Sequence, residues 1–293
     1  MIKLDLVFNP AAGAFREARL ERLVSAFADN GIAATPLQTT PECARLSGSA
    51  ELVCVHGGDG ALRATVKAMG EDVATVPVCI APSGTINLVA RELGYERDPV
   101  KLAAQVAQAW LRGPESWLRS PMFKLDDTPI VSCLSIGPDS AAVAAASGEL
   151  KRRIGRFAYV AAMMKQLARW PREEMQISGE LADGTEFSTK AEAVIASHGA
   201  LYAGPFRLSP KAGLASNSVE LITLDRATRW STLVFSSAAM IRYPVGKLGT
   251  VEIRSIRRAK LEGFSLPVQV DGDHVENCQG IIEPTGLAVQ YCV

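Results

Sequence analysis

A chain of 293 residues is long enough for one large core or two moderate ones, and two domains is the expectation at this length. Hydrophobic residues make up 48% and charged residues 21%, which excludes a disordered chain. Lysine plus arginine equals aspartate plus glutamate at 31 each, so net charge gives no reason to expect a nucleic-acid partner. In chain order, Leu4 to Phe8 reads as a buried strand, followed by the turn Asn9-Pro10-Ala11-Ala12-Gly13. Leu20, Leu23, Val24 and Phe27 recur at the spacing of an amphipathic helix, which Asn30-Gly31 stops. Leu52 to Val55 is a second buried strand, leading into Gly57-Gly58-Asp59-Gly60; Leu62, Thr65, Val66 and Met69 mark the next helix, closed by Gly70. Val76 to Ile80 is a third strand, and beyond Pro82-Ser83-Gly84 a helix carries Ile86, Val89, Ala90 and Leu93 on one face, ended by Gly94. Strand, turn and helix in repetition predict a parallel sheet with right-handed crossovers.

Beyond Arg112-Gly113-Pro114 short β-rich runs take over: Trp117 to Lys124, Val131 to Ile136, Met175 to Leu181, Glu186 to Val194, Val219 to Leu224, Thr250 to Ile256, Val268 to Val270 and Leu287 to Cys292. Asp183-Gly184 is the signal of a hairpin between two of them. Two helices interrupt, near Gly155 to Arg169 and near Thr228 to Ile241. The expected fold is an α/β domain with a parallel sheet over residues 1–117, then an antiparallel β-sandwich domain over 118–293. The last strand can return to the first domain.

Six cysteines are scattered without a Cys-x-x-Cys pair, and Cys54 and Cys79 lie in apolar runs as small buried hydrophobes. A reducing, cytoplasmic setting is expected. Asp5 comes too early for a secretory leader. No apolar run approaches the roughly 18 residues that span a bilayer. The best stretch, Ser231 to Ile241, is short and broken by serines. His56, His198 and His274 have no zinc-ligand spacing, and no Gly-x-Ser-x-Gly elbow is present.

Three Gly-rich turns follow consecutive strands of the first half, at the edge where open α/β sheets bind ligands. Glycines there allow positive φ and let amide N–H groups close on an anion, and helix N termini add the favourable end of their dipoles. A polyphosphate is the ligand such turns suit. Thr85 and Asn87 fall in the first turn of a predicted helix, placing a hydroxyl and an amide with Ser83 and Gly84 near the anion. Asp59 stands out, since a carboxylate repels phosphate unless a cation or donor intervenes. Alternatively, Gly57-Gly58-Asp59-Gly60 is a tight turn with an Asp N-cap, and Asp271-Gly272-Asp273 is a hairpin turn.

Asn9-Pro10-x-x-Gly13, Gly57-Gly58-Asp59-Gly60 and Pro82-Ser83-Gly84-Thr85-x-Asn87-x-x-Ala90-Arg91, in this order and spacing, resemble the diacylglycerol kinase catalytic-domain family, which includes bacterial lipid kinases, sphingosine kinases and ceramide kinases. Ser135 to Asp139, Lys151 to Tyr159, Ala203 to Ala212 and Val270 to Asp273 resemble later motifs of the same family. The resemblance implies ATP held by the Gly57 to Ala61 turn and Thr85, with Asn9, Gly13 and Thr39 or Thr40 near the nucleotide. It implies Mg²⁺ bridging the phosphates, with Asp59 as candidate partner of the ion or its waters. Asp271 and Asp273 would lie across the cleft, Asp273 drawing the proton from a lipid hydroxyl at the bilayer surface and Asp271 orienting it or aiding metal binding. A lipid acceptor implies peripheral membrane contact from the cytosolic side.

The chain departs from the family at Ala61 in place of threonine, at Arg63-Ala64 in place of Asn-Glu, and at Ala215-Ser216-Asn217 in place of Asp-Asp-Gly. The last change removes carboxylates tied in some relatives to a structural magnesium. Lys151-Arg152-Arg153 with Arg156 and Phe157 reads either as a headgroup contact or as a solvated helix start. Two other functions remain open: a soluble small-molecule kinase of the NAD kinase type, and a catalytically impaired relative that binds nucleotide or lipid.

Overall fold

The apolar run beginning at Leu4 forms β1 (Ile2–Phe8), whose middle residues are all buried, as expected of a strand covered on both faces. The computed structural model describes residues 1–10, 15–40, 44–145, 173–276 and 278–293. It divides into two units, Met1–Met122 with Gly286–Val293, and Phe123–Thr285.

In the first unit β1 pairs in parallel with β2 (Ile32–Gln38) and β3 (Leu52–Gly57), and β3 with β4 (Val78–Pro82). Residues Gly286–Val293, the end of β15 (Ile281–Tyr291), return to this unit, where Tyr291 lies parallel to Val78. The crossovers are α1 (Glu17–Asp29), α2 (Asp59–Met69), the short α3 (Leu88–Glu92) and α4 (Pro99–Arg112). Helix α1 buries Leu20, Leu23, Ala26 and Phe27, and α2 buries Leu62, Thr65, Val66 and Met69 on one stripe. Helix α4 opens on Asp98, whose carboxylate accepts the N–H groups of Val100 and Lys101 at 3.0 and 3.2 Å. Cys54 and Cys79 face each other across the β3–β4 ladder, fully buried.

The second unit is antiparallel. β13 (Val268–Val270), β7 (Cys133–Ile136), β10 (Ala193–Ser197), β11 (Val219–Leu224), β12 (Val251–Glu262), β8 (Met175–Leu181) and β9 (Glu186–Ala191) pair in that order. The single run expected from Glu186 to Val194 is two strands: among the described residues β9 pairs only with β8, whereas β10 joins β7 and β11. A bulge between Ile256 and Arg258 bends β12, so its first half pairs β11 and its second half β8. Leu134, Ile136, Val194 and Leu221 share one core with Met175, Ile177 and Leu261. The opposite side chains, Ile195, Ile222 and Leu224, pack on Phe235, Ala238 and Ala239 of a helix at Arg229–Met240, here α6. The second unit also holds α5 (Pro138–Ala145) and the short strands β6 (Thr128–Ile130) and β14 (Asp273–Val275). The helix expected near Gly155 to Arg169, the basic segment Lys151 to Tyr159 and Gly13 lie outside the described residues.

Candidate functional site

Parallel pairing fixes where the three turns of the first unit meet. Phe8 pairs with His56, and Gly57 with Pro82, so Asn9, Gly58 and Ser83 all leave the sheet at one edge. β2 brings Thr39 and Thr40 to the same edge: the Thr39 N–H donates to Phe8 O at 2.9 Å, and its buried hydroxyl donates to Thr40 O at 2.9 Å. Ser83 is buried and its N–H donates to Gly57 O at 3.0 Å, tying the second turn to the third.

The glycines serve close approach rather than unusual torsions. Gly57, Gly58, Gly60 and Gly84 are absent from the left-handed region, contrary to the expectation of positive φ. A Cβ on Gly84 would stand 2.7 Å from Gly58 Cα, and one on Gly57 would stand 2.5 Å from Ala61 Cβ. Two backbones therefore touch where any side chain would part them. The left-handed residue is Asn87 at φ 55°, and this shortens the predicted helix: α3 begins at Leu88, so Thr85 and Asn87 precede it. Asn87 is buried, and its side-chain amide closes a ring on Gly84, accepting from Gly84 N at 2.8 Å and donating to Gly84 O at 2.7 Å. Thr85 is exposed.

Asp59 faces away from its own helix. Its carboxylate accepts the N–H groups of Leu88 at 2.8 Å and Val89 at 3.0 Å, capping α3 from a position 29 residues earlier. The start of α3 is therefore already filled by an anion, whereas among the described residues α2 has no side-chain cap. Its first intrahelical bond runs from Leu62 N to Gly58 O, which leaves the N–H groups of Gly60 and Ala61 ahead of it. That N terminus, with exposed Thr85 following the adjoining turn, is suited to bind a phosphate.

His56, the penultimate residue of β3, was not singled out as a site residue from the sequence. It is buried, its Nδ1 lies 3.3 Å from Ala81 O, and its Nε2 has no partner among the described residues. Burial holds its pKa below the usual imidazole value, reinforced by the nearby Arg19 charge and opposed by the bond to Ala81. Arg19 donates to Pro82 O at 3.3 Å and Arg97 O at 2.6 Å, bracing the third turn from α1.

In the second unit Asp271 and Gly272, at φ 52° and 86°, form the two-residue loop of the β13–β14 hairpin, with Val270 opposite Asp273. The buried Asp271 carboxylate accepts three backbone N–H groups, from Val131 at 3.1 Å, Ser132 at 2.8 Å and Cys133 at 3.1 Å. Asp273 stands exposed on β14. Behind the hairpin runs a polar chain the sequence reading did not assemble. Gln269 accepts Gly272 N at 2.8 Å and donates to Ser135 Oγ at 2.9 Å; Ser135 donates to Asp139 at 2.5 Å, and Tyr202 also donates to Asp139. Burial pushes the Asp139 carboxyl up, against the bonds from Ser135 and Tyr202. The spacing Ser135-x-x-x-Asp139 was legible; its partners more than 60 residues away were not. A depression of about 440 Å³ lies beside this hairpin, lined by Phe264, Leu266, Pro267, His274 and Cys278 among others.

Among the described residues no group of three or more His, Cys, Asp or Glu side chains converges as a metal site, and both Asp59 oxygens already accept amides. Ser216, in the segment that departs from Asp-Asp-Gly, shares a hydrogen bond with Ser218 at 3.1 Å. The described residues thus do not make a resident Mg²⁺ site, while the N terminus of α2 has the chemistry of an anion site.

Residues 3–113 match the family model described as diacylglycerol kinase catalytic domain. Among solved structures, a provisionally assigned diacylglycerol kinase from Bacillus anthracis str. Sterne is similar to 99% of this chain over 95% of its own length, with a TM-score of 0.74 and 17% identity. A second structure so assigned from the same organism gives 0.71 over 99% and 96%, again at 17% identity. A third, described as a diacylglycerol kinase, gives 0.68 over 98% and 94% at 17% identity. At that identity the likeness shows the shared fold. No curated protein matches the chain.

Proposed function

We propose, from the premise that residues 3–113 match the diacylglycerol kinase catalytic-domain family, that this chain is an ATP-dependent kinase phosphorylating the hydroxyl of a membrane lipid. The observation that carries the reading is the uncapped N terminus of α2, set where the three turns leave the parallel sheet. Amides of Gly60 and Ala61 and the hydroxyl of Thr85 hold nucleotide phosphate, and Asn9, Gly13, Thr39 and Thr40 border the nucleotide. Asp59, Asn87 and Ser83 act indirectly, by fixing the backbone of the adjoining turns. Mg²⁺ in this reading is carried by the nucleotide rather than by a carboxylate cluster of the chain.

Phosphoryl transfer asks for positioning and charge neutralisation more than covalent help from the protein. The lipid oxygen bonds to the γ-phosphorus as the bond to the β-phosphate oxygen breaks and ADP leaves. Asp273 accepts the proton of the attacking hydroxyl. Asp271 holds the hairpin that presents it. A kinase that works on lipids meets them at a bilayer; among the described residues no helix is long and apolar enough to cross one.

The test is transfer of label from γ-labelled ATP to a panel of diacylglycerol, ceramide, a sphingoid base, phosphatidylglycerol and NAD. Label on one of the lipids is expected, with Asp273→Asn losing it by at least about a hundredfold while ATP binding persists. Label on NAD alone supports the soluble small-molecule kinase instead. ATP binding with no transfer to any acceptor supports the impaired relative, and full activity in Asp273→Asn refutes the assignment of the base.

A further inference from the structure

We propose that the outer face of α6 and the turn after it form a docking surface for an anionic lipid bilayer. One face of α6 is buried: Thr232, Phe235, Ala238 and Ala239 pack towards the sheet of the second unit. The opposite face should then be polar, as on an ordinary surface helix. It is not. Trp230 is 73% exposed, Leu233 48%, Met240 67%, Ile241 76% and Tyr243 44%. Trp230, Leu233, Met240 and Ile241 recur at helical spacing with Ser237 between them, so they form one stripe rather than scattered singles.

The charges around the stripe name its occupant. Arg226 and Arg229 precede it and Arg242 and Lys247 follow it, all exposed, while Asp225 is the one acid between 225 and 250. An apolar stripe bearing tryptophan and bounded by cations is the pattern of a helix lying in the headgroup layer. A second copy of the chain fits less well. In a two-fold pairing of this helix with itself, the Arg229 end of each copy faces the Arg242 end of the other, and cation opposes cation across an apolar seam one helix wide. Anionic headgroups satisfy both ends at once.

This surface goes beyond the kinase reading and is tested without turnover. Vesicles of phosphatidylcholine, with and without phosphatidylglycerol, are sedimented with the protein. The wild type is expected to bind the phosphatidylglycerol vesicles. Trp230→Ser with Ile241→Ser lowers the partition coefficient by at least about tenfold on them, since each loses an insertable apolar side chain. Arg229→Gln with Arg242→Gln lowers it by roughly fivefold per cation there, and not on neutral vesicles. Trp230 and Ile241 are exposed, so the serine pair keeps the wild-type melting temperature. Wild-type binding by the serine pair overturns the proposal, as does failure of the wild type to bind. A dimer in solution that the serine pair dissociates, with vesicle binding unchanged, also overturns it and makes the stripe a self-association face. The kinase reading is scored separately on soluble short-chain forms of the four lipids of the acceptor panel, where both variants should match the wild type. Absence of transfer there by the wild type refutes the kinase reading and leaves the vesicle result standing.

Discussion

Asp271→Asn separates anchoring from chemistry. Asparagine tolerates the left-handed torsion of φ 52°, so the backbone of the hairpin is not strained by the change. Its remaining oxygen can keep the bonds from Ser132 and Cys133, both of which reach Oδ1. Its NH₂ group would face the Val131 N–H that now donates to Oδ2 at 3.1 Å, donor against donor. Losing one buried bond to a charged acceptor costs about 1.5–3 kcal/mol, and neutralising the carboxylate weakens the other two. The total is about 3 kcal/mol, or a fall of about 6–12 °C in the melting temperature of the second unit. Thermal unfolding followed by circular dichroism reads this, alongside ATP affinity and kcat. If Asp271 anchors the loop, stability falls by that amount, ATP affinity is kept, and activity at a temperature well below the melt falls only modestly. An unchanged melting temperature with kcat down a thousandfold would refute the anchoring role and put Asp271 on the substrate or its ion.

Two further expectations concern the first unit. Gly84→Ala sets a Cβ 2.7 Å from Gly58 Cα and 2.7 Å from Asn87 Oδ1, so the two turns must separate. Overpacking of this kind costs about 1–3 kcal/mol, and isothermal titration should show ATP affinity reduced with it. Gly249→Ala, with nothing within 4 Å of the added methyl, is the neutral control; equal behaviour of the two variants would sink the backbone-contact argument. His56 concerns pH. Its folded pKa lies below the ordinary imidazole value of about 6.5, so the unfolded chain binds the extra proton first, and stability falls as pH drops below about 6.5 by up to about 1.4 kcal/mol per unit. Urea titrations of wild type and His56→Phe from about pH 7.5 down to 5 should show a shallower fall in the variant, and parallel curves would exclude His56 as the cause.

The order of strands and turns was legible because apolar runs and glycines mark them directly. Helix α2 showed its buried stripe in full through Leu62, Thr65, Val66 and Met69. Strand β2 was hidden: Ala33, Ala34 and Pro36 dilute its apolar pattern, and a strand that pairs on one side only can carry a proline. Helix α4 was passed over although Asp98-Pro99 announces it and Leu102, Val106 and Ala109 recur on one buried face. The motif residues were found, but the hydrogen bonds that hold them were not. Whether a carboxylate is free or already holds amides depends on its partners, and those of Asp59 and Asp271 lie about 30 and 140 residues away in the chain. Asn87 illustrates the local limit, because the same residue can open a helix or take the left-handed torsion that delays it.

The return of Gly286–Val293 to the first unit bears on how the protein is made. Tyr95 donates to Cys292 O at 2.9 Å, Cys292 N donates to Val78 O at 2.9 Å, and Ala288, Val289 and Tyr291 are buried. A ribosome that has delivered all of β1 to α4 has therefore not delivered this last piece of the unit they build. The nascent first unit must wait, with one side of β4 uncovered, while more than half of the given chain is still being synthesised. Translation that stops anywhere within the second unit would leave the turns without the strand that backs them, so folding of the first unit depends on residues 286–293.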